Sequence, residues 1–309
     1  MESIDYDLVI IGGGPAGLTA GLYASRARLK TLLLEKLSVG GQIIVTDWIE
    51  NYPGFPEGIS GFDLAEKMME QAKKFGLEIE YNEVLSLNLN ETKKNIFLRD
   101  KTISARAIII ATGASPRKLN IPGEDDFYGK GVSFCATCDG PFYKNRVAVA
   151  VGGGDTAVQE SIFLTRFAKK VYLIHRRDQF RATKILQERA LANDKIEFVF
   201  NSVVTKINGN DLVEGVSVKN VKSGEISNIS ADGCFIWVGI KPNTELLKGS
   251  SINLDDSGFI ITDSMMQASV KGIFAAGDIR NTPLRQVSTA IGDGAISAHS
   301  AFNYIENLE

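Results

Sequence analysis

Apolar residues along the chain gather into short continuous runs, and the first one sets a pattern that recurs. Tyr6–Ile11 (Tyr-Asp-Leu-Val-Ile-Ile) is apolar on both faces and predicts a buried parallel strand. It runs into Gly12-Gly13-Gly14-Pro15-Ala16-Gly17. Residues 18–27 follow, with small and apolar side chains on one helical face, and then a second strand over 31–34 that ends at Glu35. The same strand, glycine turn, helix and strand return as residues 146–151, Gly152-Gly153-Gly154-Asp155-Thr156-Ala157, 158–168 and 171–174, the last ending at His175-Arg176-Arg177. Two such units predict an α/β chain with two Rossmann-like dinucleotide-binding domains, each built on its own doubly wound sheet.

The remaining pattern fills in around these units. Residues 78–99 read as short strands with polar turns, and 106–111 as a buried strand ending in Thr112-Gly113-Ala114. Residues 196–219 read as strands broken by Asn208-Gly209-Asn210, and 234–240 as a strand leading into Lys241-Pro242-Asn243. A last strand over 272–276 ends at Gly277-Asp278, and 285–304 closes the chain as a helix. Proline-containing segments at 115–122 and 241–243 bracket the second unit and read as two linkers. One domain is therefore expected to be inserted in the other: 1–116 plus 244–309 forming the first, 117–243 the second.

Composition narrows the function classes. A chain of 309 residues with 44% apolar and 23% charged positions is long enough for two cored domains and too apolar for disorder. No apolar run approaches the ~20 residues of a membrane span. The acidic start leads straight into a strand, which reads as no signal peptide and predicts a cytoplasmic protein. A net charge of −3 without a basic tract argues against nucleic acid as the main partner.

The glycine turns carry specific chemistry. In Gly12-x-Gly14-x-x-Gly17 the first glycine allows the tight turn, the second the approach of a pyrophosphate, and the third the packing of helix on strand. Glu35 lies at a strand end 23 positions after Gly12, where a carboxylate meets a ribose 2′-OH. The second unit has no acid there; His175, Arg176, Arg177 and Arg181 stand in its place. Guanidinium groups suit a 2′-phosphate, so the second site reads as an NADPH site and the first, by elimination, as an FAD or NAD site.

Of three cysteines, two form Cys135-Ala136-Thr137-Cys138, followed by Asp139. Zinc would need about four ligands, and the only histidines are His175 and His299. A redox dithiol fits better than a metal site, with Asp139 placed to move protons to and from a thiolate. Cys234, within an apolar run, reads as a core thiol.

Along nearly its whole length the sequence resembles the low-molecular-weight, bacterial-type thioredoxin reductases. The segments that carry the likeness are 12–17, Gly40-Gly41-Gln42, Glu50-Asn51-Tyr52-Pro53-Gly54, Ala111-Thr112-Gly113-Ala114, 135–140, 152–157, 175–181, 275–278 and Arg285-Gln286. The resemblance implies FAD in the first domain, NADPH in the second, a homodimer and thioredoxin as the protein partner. Electrons would pass from NADPH through FAD to a Cys135–Cys138 disulfide and on to thioredoxin. By the same likeness Cys138 faces the flavin, Cys135 attacks the partner and Asp139 is the acid/base.

The resemblance also extends the cofactor sites. At the first it adds Pro15, Ala16, Lys36, Gly40, Gly41 and Gln42, then Asn51 and Gly113, and finally Gly277, Asp278, Arg285, Gln286 and Val287. At the second it takes in Gly152, Gly154, Asp155, Thr156 and Ala157 beside the arginines. Asp278 is expected at a strand end and Arg285-Gln286-Val287 at a helix start aimed at the flavin. Thr156 stands where the family often has serine, and Pro141 where many members carry an aromatic or small residue. Related flavoproteins with a ferredoxin donor or another protein acceptor are the alternative reading. Because the dithiol and the NADPH site share the inserted domain, the linkers are expected to act as paired hinges between two domain orientations.

Overall fold

The computed structural model describes residues 4–46, 48–89 and 93–308. Part of the turn expected within 78–99, and the first three residues of the chain, lie outside them.

In chain order the elements are β1 (Tyr6–Ile11), α1 (Pro15–Arg26), β2 (Thr31–Glu35), α2 (Gly61–Lys74), β3 (Glu78–Tyr81), β4 (Val84–Leu89), β5 (Lys94–Leu98), β6 (Thr102–Ile110) and β7 (Ala114–Pro116). Next come β8 (Val132–Ser133), α3 (Ala136–Asp139), β9 (Val147–Gly152), α4 (Asp155–Leu164), β10 (Lys170–Ile174), α5 (Lys184–Leu191), β11 (Ile196–Val199), β12 (Ser202–Gly209), β13 (Val213–Asn220), β14 (Ile226–Ser230) and β15 (Gly233–Trp237). The chain ends with β16 (Ile240–Pro242), β17 (Ile273–Ala275) and α6 (Val287–Glu306).

The chain divides into two compact units, Met1–Ser115 with Lys241–Glu309, and Pro116–Ile240. The first unit thus ends at Ser115 rather than 116 and resumes at Lys241 rather than 244. The crossing segments β7 and β16 pair as a two-stranded ribbon, which moves the second boundary upstream of Pro242-Asn243.

In the first unit β3, β2, β1 and β6 run parallel, and β17 continues the parallel set beside the C-terminal half of β6. The antiparallel β4–β5 pair extends the sheet from the N-terminal half of β6. Leu8, Ile10, Leu33 and Ile109 pack against α1 and α6 on one face; Val9, Leu32, Leu34 and Ile108 fill the other. This two-sided burial explains the continuous apolar runs. α1 begins at Pro15, whose fixed φ suits the first helical position, so it starts earlier than the apolar pattern alone indicates. α6 crosses α1 closely: a Cβ on Gly294 would collide with the Ala16 carbonyl oxygen.

The second unit has a five-stranded parallel sheet in the order β11-β10-β9-β15-β8. A separate antiparallel sheet, β12-β13-β14, packs Val204, Ile207, Val216 and Val218 into the core under Val149, Val151 and Ile236.

Several elements differ from the sequence expectations. The strand expected over 234–240 ends at Trp237, because Gly239 takes φ +118° and breaks it before β16. The closing helix begins at Val287, after Gln286 as N-cap, and Arg285 precedes it. β17 ends at Ala275, so Asp278 sits in a short 3-10 turn, Gly277–Ile279, rather than at a strand end. The apolar pattern does not mark α2 or α5; α2 is capped by Ser60, whose Oγ accepts the Asp63 N–H at 3.0 Å.

Candidate active site

In the first unit four separate segments converge on the Gly12–Gly17 turn. Gly12 has φ +109°, and a Cβ there would collide with the Ala111 carbonyl oxygen; one on Gly17 would collide with the Gly12 carbonyl. Only glycine allows these approaches. Glu35 comes back onto the turn: its Oε2 accepts the Gly13 N–H at 2.7 Å and its Oε1 the Leu37 N–H at 2.9 Å. The Gly40 N–H donates to the Gly13 carbonyl at 2.8 Å, and Gly40 and Gly41 both have positive φ. A Cβ on Gly41 would lie 3.1 Å from the Gly14 Cα, so the two loops nearly touch. From the far end of the chain, Gly277 approaches Ala16, where an added Cβ would lie 3.0 Å from the Ala16 Cβ.

Around this centre Gln42 Nε2 donates to the Ala114 carbonyl at 3.2 Å, and Asn51 Nδ2 to Gln286 Oε1 at 2.9 Å. Gly113, at φ +65°, accepts the Asn243 N–H. Lys36 pairs with Glu83. Arg285 lies over the Phe259 ring, 4.1 Å from its centroid. Burial pushes the Asp278 carboxyl above its usual range; Arg285 opposes the shift and Asp293 adds to it.

In the second unit the Gly152 turn is built alike. A Cβ on Gly152 would collide with the Trp237 carbonyl and Ala157, and one on Gly153 with the His175 ring. His175 is buried, and that burial, with Arg181, Arg176 and Arg177 nearby, lowers its pKa against a backbone hydrogen bond to Gly152. The Arg181 N–H donates to the Gly153 carbonyl at 2.7 Å, and Asp155 Oδ1 accepts the Thr183 N–H at 2.7 Å. Asp155 therefore anchors the arginine loop at the N-terminus of α4, one residue before Thr156. Arg176, Arg177 and Arg181 are exposed and line one cleft with Asn201, Val221 and Lys222.

Both glycine turns fit a dinucleotide. No side chain among the described residues caps the start of α1 or α4, which leaves first-turn N–H groups for an anion. A Cβ on Gly154 would meet nothing within 4 Å, so the backbone there faces open space.

Cys135 and Cys138 form a disulfide, with Cα atoms 5.4 Å apart, at the start of the single-turn α3. Cys138 is exposed and Cys135 half-buried. Ser133, buried on β8, brackets Cys135: its Oγ accepts the Cys135 N–H at 3.0 Å and donates to the Cys135 carbonyl at 3.2 Å. Phe142 is 73% exposed, whereas Tyr143 is 6% exposed and packs edge-on to Phe235. Burial, helped by the nearby Asp139, pushes the Tyr143 hydroxyl up to about 12. Cys234 is fully buried, which pushes its thiol up to about 12 and leaves it inert as a nucleophile.

The pyridine nucleotide-disulphide oxidoreductase family matches residues 6–294. The chain belongs to that family, among the bacterial-type thioredoxin reductases. It is similar to the thioredoxin reductase of Listeria monocytogenes, 48% identical over 98% of this chain and 95% of the relative. That of Peptoclostridium acidaminophilum is 46% identical over 99% of this chain and 98% of the relative. The crystal structure of Lactococcus lactis thioredoxin reductase superposes with a TM-score of 0.96 at 45% identity, over 98% of this chain and 100% of that one.

Membership implies flavin and nicotinamide cofactors for this reductase. Each glycine turn lies between a strand and a helix, Glu35 ends β2, and Cys135 and Cys138 are disulfide-bonded. Sequence reasoning missed Ser133, Asn201, Lys222, Arg280 and Asp293; Gly292-Asp293-Gly294, within the closing helix, was the one visible signal. No helix among the described residues is long and apolar enough to cross a membrane.

Proposed function

We infer that the chain is an NADPH-dependent, FAD-containing reductase of thioredoxin. The observation that carries the reading is the Cys135–Cys138 disulfide on the same unit as a glycine turn whose second strand runs into an arginine-lined cleft. Arg176, Arg177 and Arg181 bind the 2′-phosphate of NADPH, and the α4 N-terminus with Gly152, Gly154, Thr156 and Ala157 takes the pyrophosphate. In the first unit the α1 N-terminus with Gly12, Gly14, Pro15, Ala16 and Gly17 holds the FAD pyrophosphate, Glu35 its ribose, and the Gly40–Gln42 and Gly277–Asp278 segments its flanks. Bound there, FAD supplies the two-electron relay between NADPH and the disulfide.

The chain's own sulfurs perform the last exchange. Once the disulfide is reduced, the Cys135 thiolate attacks one sulfur of the oxidised thioredoxin disulfide; a mixed disulfide forms and the other partner sulfur leaves as thiolate. Cys138 then attacks Cys135 Sγ, restoring the Cys135–Cys138 bond and expelling the second partner thiolate. Asp139, at the end of α3, moves the protons these thiolates take up and release. Phe142 supplies exposed apolar surface for the partner.

Because the disulfide and the NADPH cleft share one unit and the FAD cradle belongs to the other, turnover uses two arrangements of the units hinged at 115–122 and 239–244. A homodimer in the cytoplasm completes the reading. The test is NADPH oxidation with and without oxidised thioredoxin, set against NADH. Thioredoxin-dependent consumption of NADPH well above that of NADH is expected; oxidation that ignores thioredoxin counts against the reading.

A further inference from the structure

The arginines do not form the 2′-phosphate cleft alone. A further part of its wall comes from the β13–β14 hairpin, through Val221 and Lys222, and from Asn201, just before β12. Backbone hydrogen bonds lace this wall to the arginine loop. The Asn201 N–H donates to the Arg177 carbonyl at 3.1 Å, and the Val221 N–H to the Asn201 carbonyl at 2.7 Å. The Ser202 N–H donates to the His175 carbonyl at 3.0 Å. Asn201 takes φ +51°, a left-handed conformation that asparagine tolerates better than most residues, and this turns its carbonyl toward the hairpin.

The hairpin tip is itself fixed. Asn220 Oδ1 accepts the N–H groups of Lys222 and Ser223 at 2.9 and 3.0 Å, and the Asn220 carbonyl accepts the Gly224 N–H at 2.9 Å. Lys222 is thus held at a set place on the cleft, although it lies far along the chain from Arg181. Its ammonium contacts Asp178 Oδ2 at 3.4 Å, with both side chains about two-thirds exposed. An exposed pair of this kind is weak. A phosphate dianion entering the cleft offers Lys222 a doubly charged partner in place of Asp178.

The geometry points to Lys222 as a fourth cationic determinant of coenzyme choice, held by Asp178 until the 2′-phosphate arrives. This rests on the reading of the cleft as the NADPH site. Asp178 then has a second consequence: as a carboxylate on the cleft wall it opposes the phosphate and favours a coenzyme that lacks one.

The test uses adenosine 2′,5′-bisphosphate and 5′-AMP as probes, titrated into the holoenzyme by calorimetry. Wild-type protein binds the bisphosphate more tightly, and the ratio of the two affinities is the readout. Lys222→Ala lowers that ratio about five-fold, by the upper range for an exposed ion contact, and leaves AMP affinity unchanged. Lys222→Arg retains the ratio, and Asp178→Asn raises it. The ratio of Lys222→Ala also changes less with added salt than that of the wild type, because one screened contact is gone. An unaltered ratio in Lys222→Ala, with the ratio lost in the Arg176/Arg177 double variant, overturns the role of Lys222 and leaves the cleft's function standing. Equal affinities for the two probes in wild-type protein overturn both.

Discussion

Arg280 Nη1 donates to both carboxylate oxygens of Asp293, at 3.2 Å to Oδ1 and 3.0 Å to Oδ2. The same Oδ2 accepts the Gly277 N–H at 3.1 Å, and Arg280 Nε donates to Thr262 Oγ1 at 2.8 Å. Asp293, on α6, therefore fixes the turn that carries Asp278. Both side chains are largely buried, and removing one partner of such a pair leaves the other charge unmatched, at a cost of about 3–5 kcal/mol. Asp293→Ala is expected to lower the denaturant midpoint strongly and to weaken FAD retention. Asp293→Asn, which keeps an acceptor for Gly277, should do less. An unchanged midpoint in Asp293→Ala would mean that the turn is held by its own backbone.

Asp278 is predicted to trade stability for cofactor binding. Burial holds its folded carboxyl above the unfolded value of 3.8. The folded state therefore keeps a proton that the unfolded state has released. This stability is fully present below 3.8 and is lost as pH rises through the raised folded value. Above that value the buried carboxylate weakens the fold. Asp278→Asn is expected to stabilise the cofactor-free protein at pH 7, to make little difference at pH 3, and to bind FAD less tightly. Urea unfolding at the two pH values, with FAD fluorescence titration, checks all three; a variant less stable at pH 7 would contradict the sign.

Coenzyme choice should reside mainly in the arginine loop. Each charged hydrogen bond to the 2′-phosphate is worth roughly 1.5–3 kcal/mol. Replacing Arg176 and Arg177 by neutral residues should raise KM for NADPH by one order of magnitude or more and leave NADH nearly unaffected. Equal loss for both coenzymes would assign these side chains to folding, which their exposure argues against.

Much of this site was legible in the sequence, for a physical reason that also sets the limit. Gly12, Gly17 and Gly152 occupy places where a Cβ would meet a backbone carbonyl, so the fold dictates the residue type and the spacing survives as a readable motif. Glu35 and the arginines follow at a fixed distance, because one helix and one strand separate them from the turn. Ser133 and Lys222 act through contacts made only after β8 and the β13–β14 hairpin have found their neighbours, and no local spacing encodes that. The same holds at element ends: Asp278 left its expected strand because Gly277 turns at φ +78° against α1, a tertiary contact. Phe142 and Tyr143 are adjacent and chemically alike, and only packing separates them.

That separation gives a further prediction. Phe142→Ala should raise KM for thioredoxin several-fold while the rate of flavin reduction by NADPH stays unchanged, since Phe142 packs little of its ring in the free protein. Stopped-flow flavin bleaching and steady-state thioredoxin reduction separate the two effects. A matched loss in both would place Phe142 in the fold of the unit instead of at the partner surface.

The Cys135–Cys138 pair is proposed to carry electrons between flavin and partner. The most direct measurement follows flavin absorbance and thioredoxin reduction together, anaerobically, in a Cys135→Ser protein supplied with NADPH. The flavin should bleach at close to the wild-type rate, and thioredoxin should remain oxidised. Thioredoxin reduction at the wild-type rate would contradict the relay, because electrons would then reach the partner without Cys135.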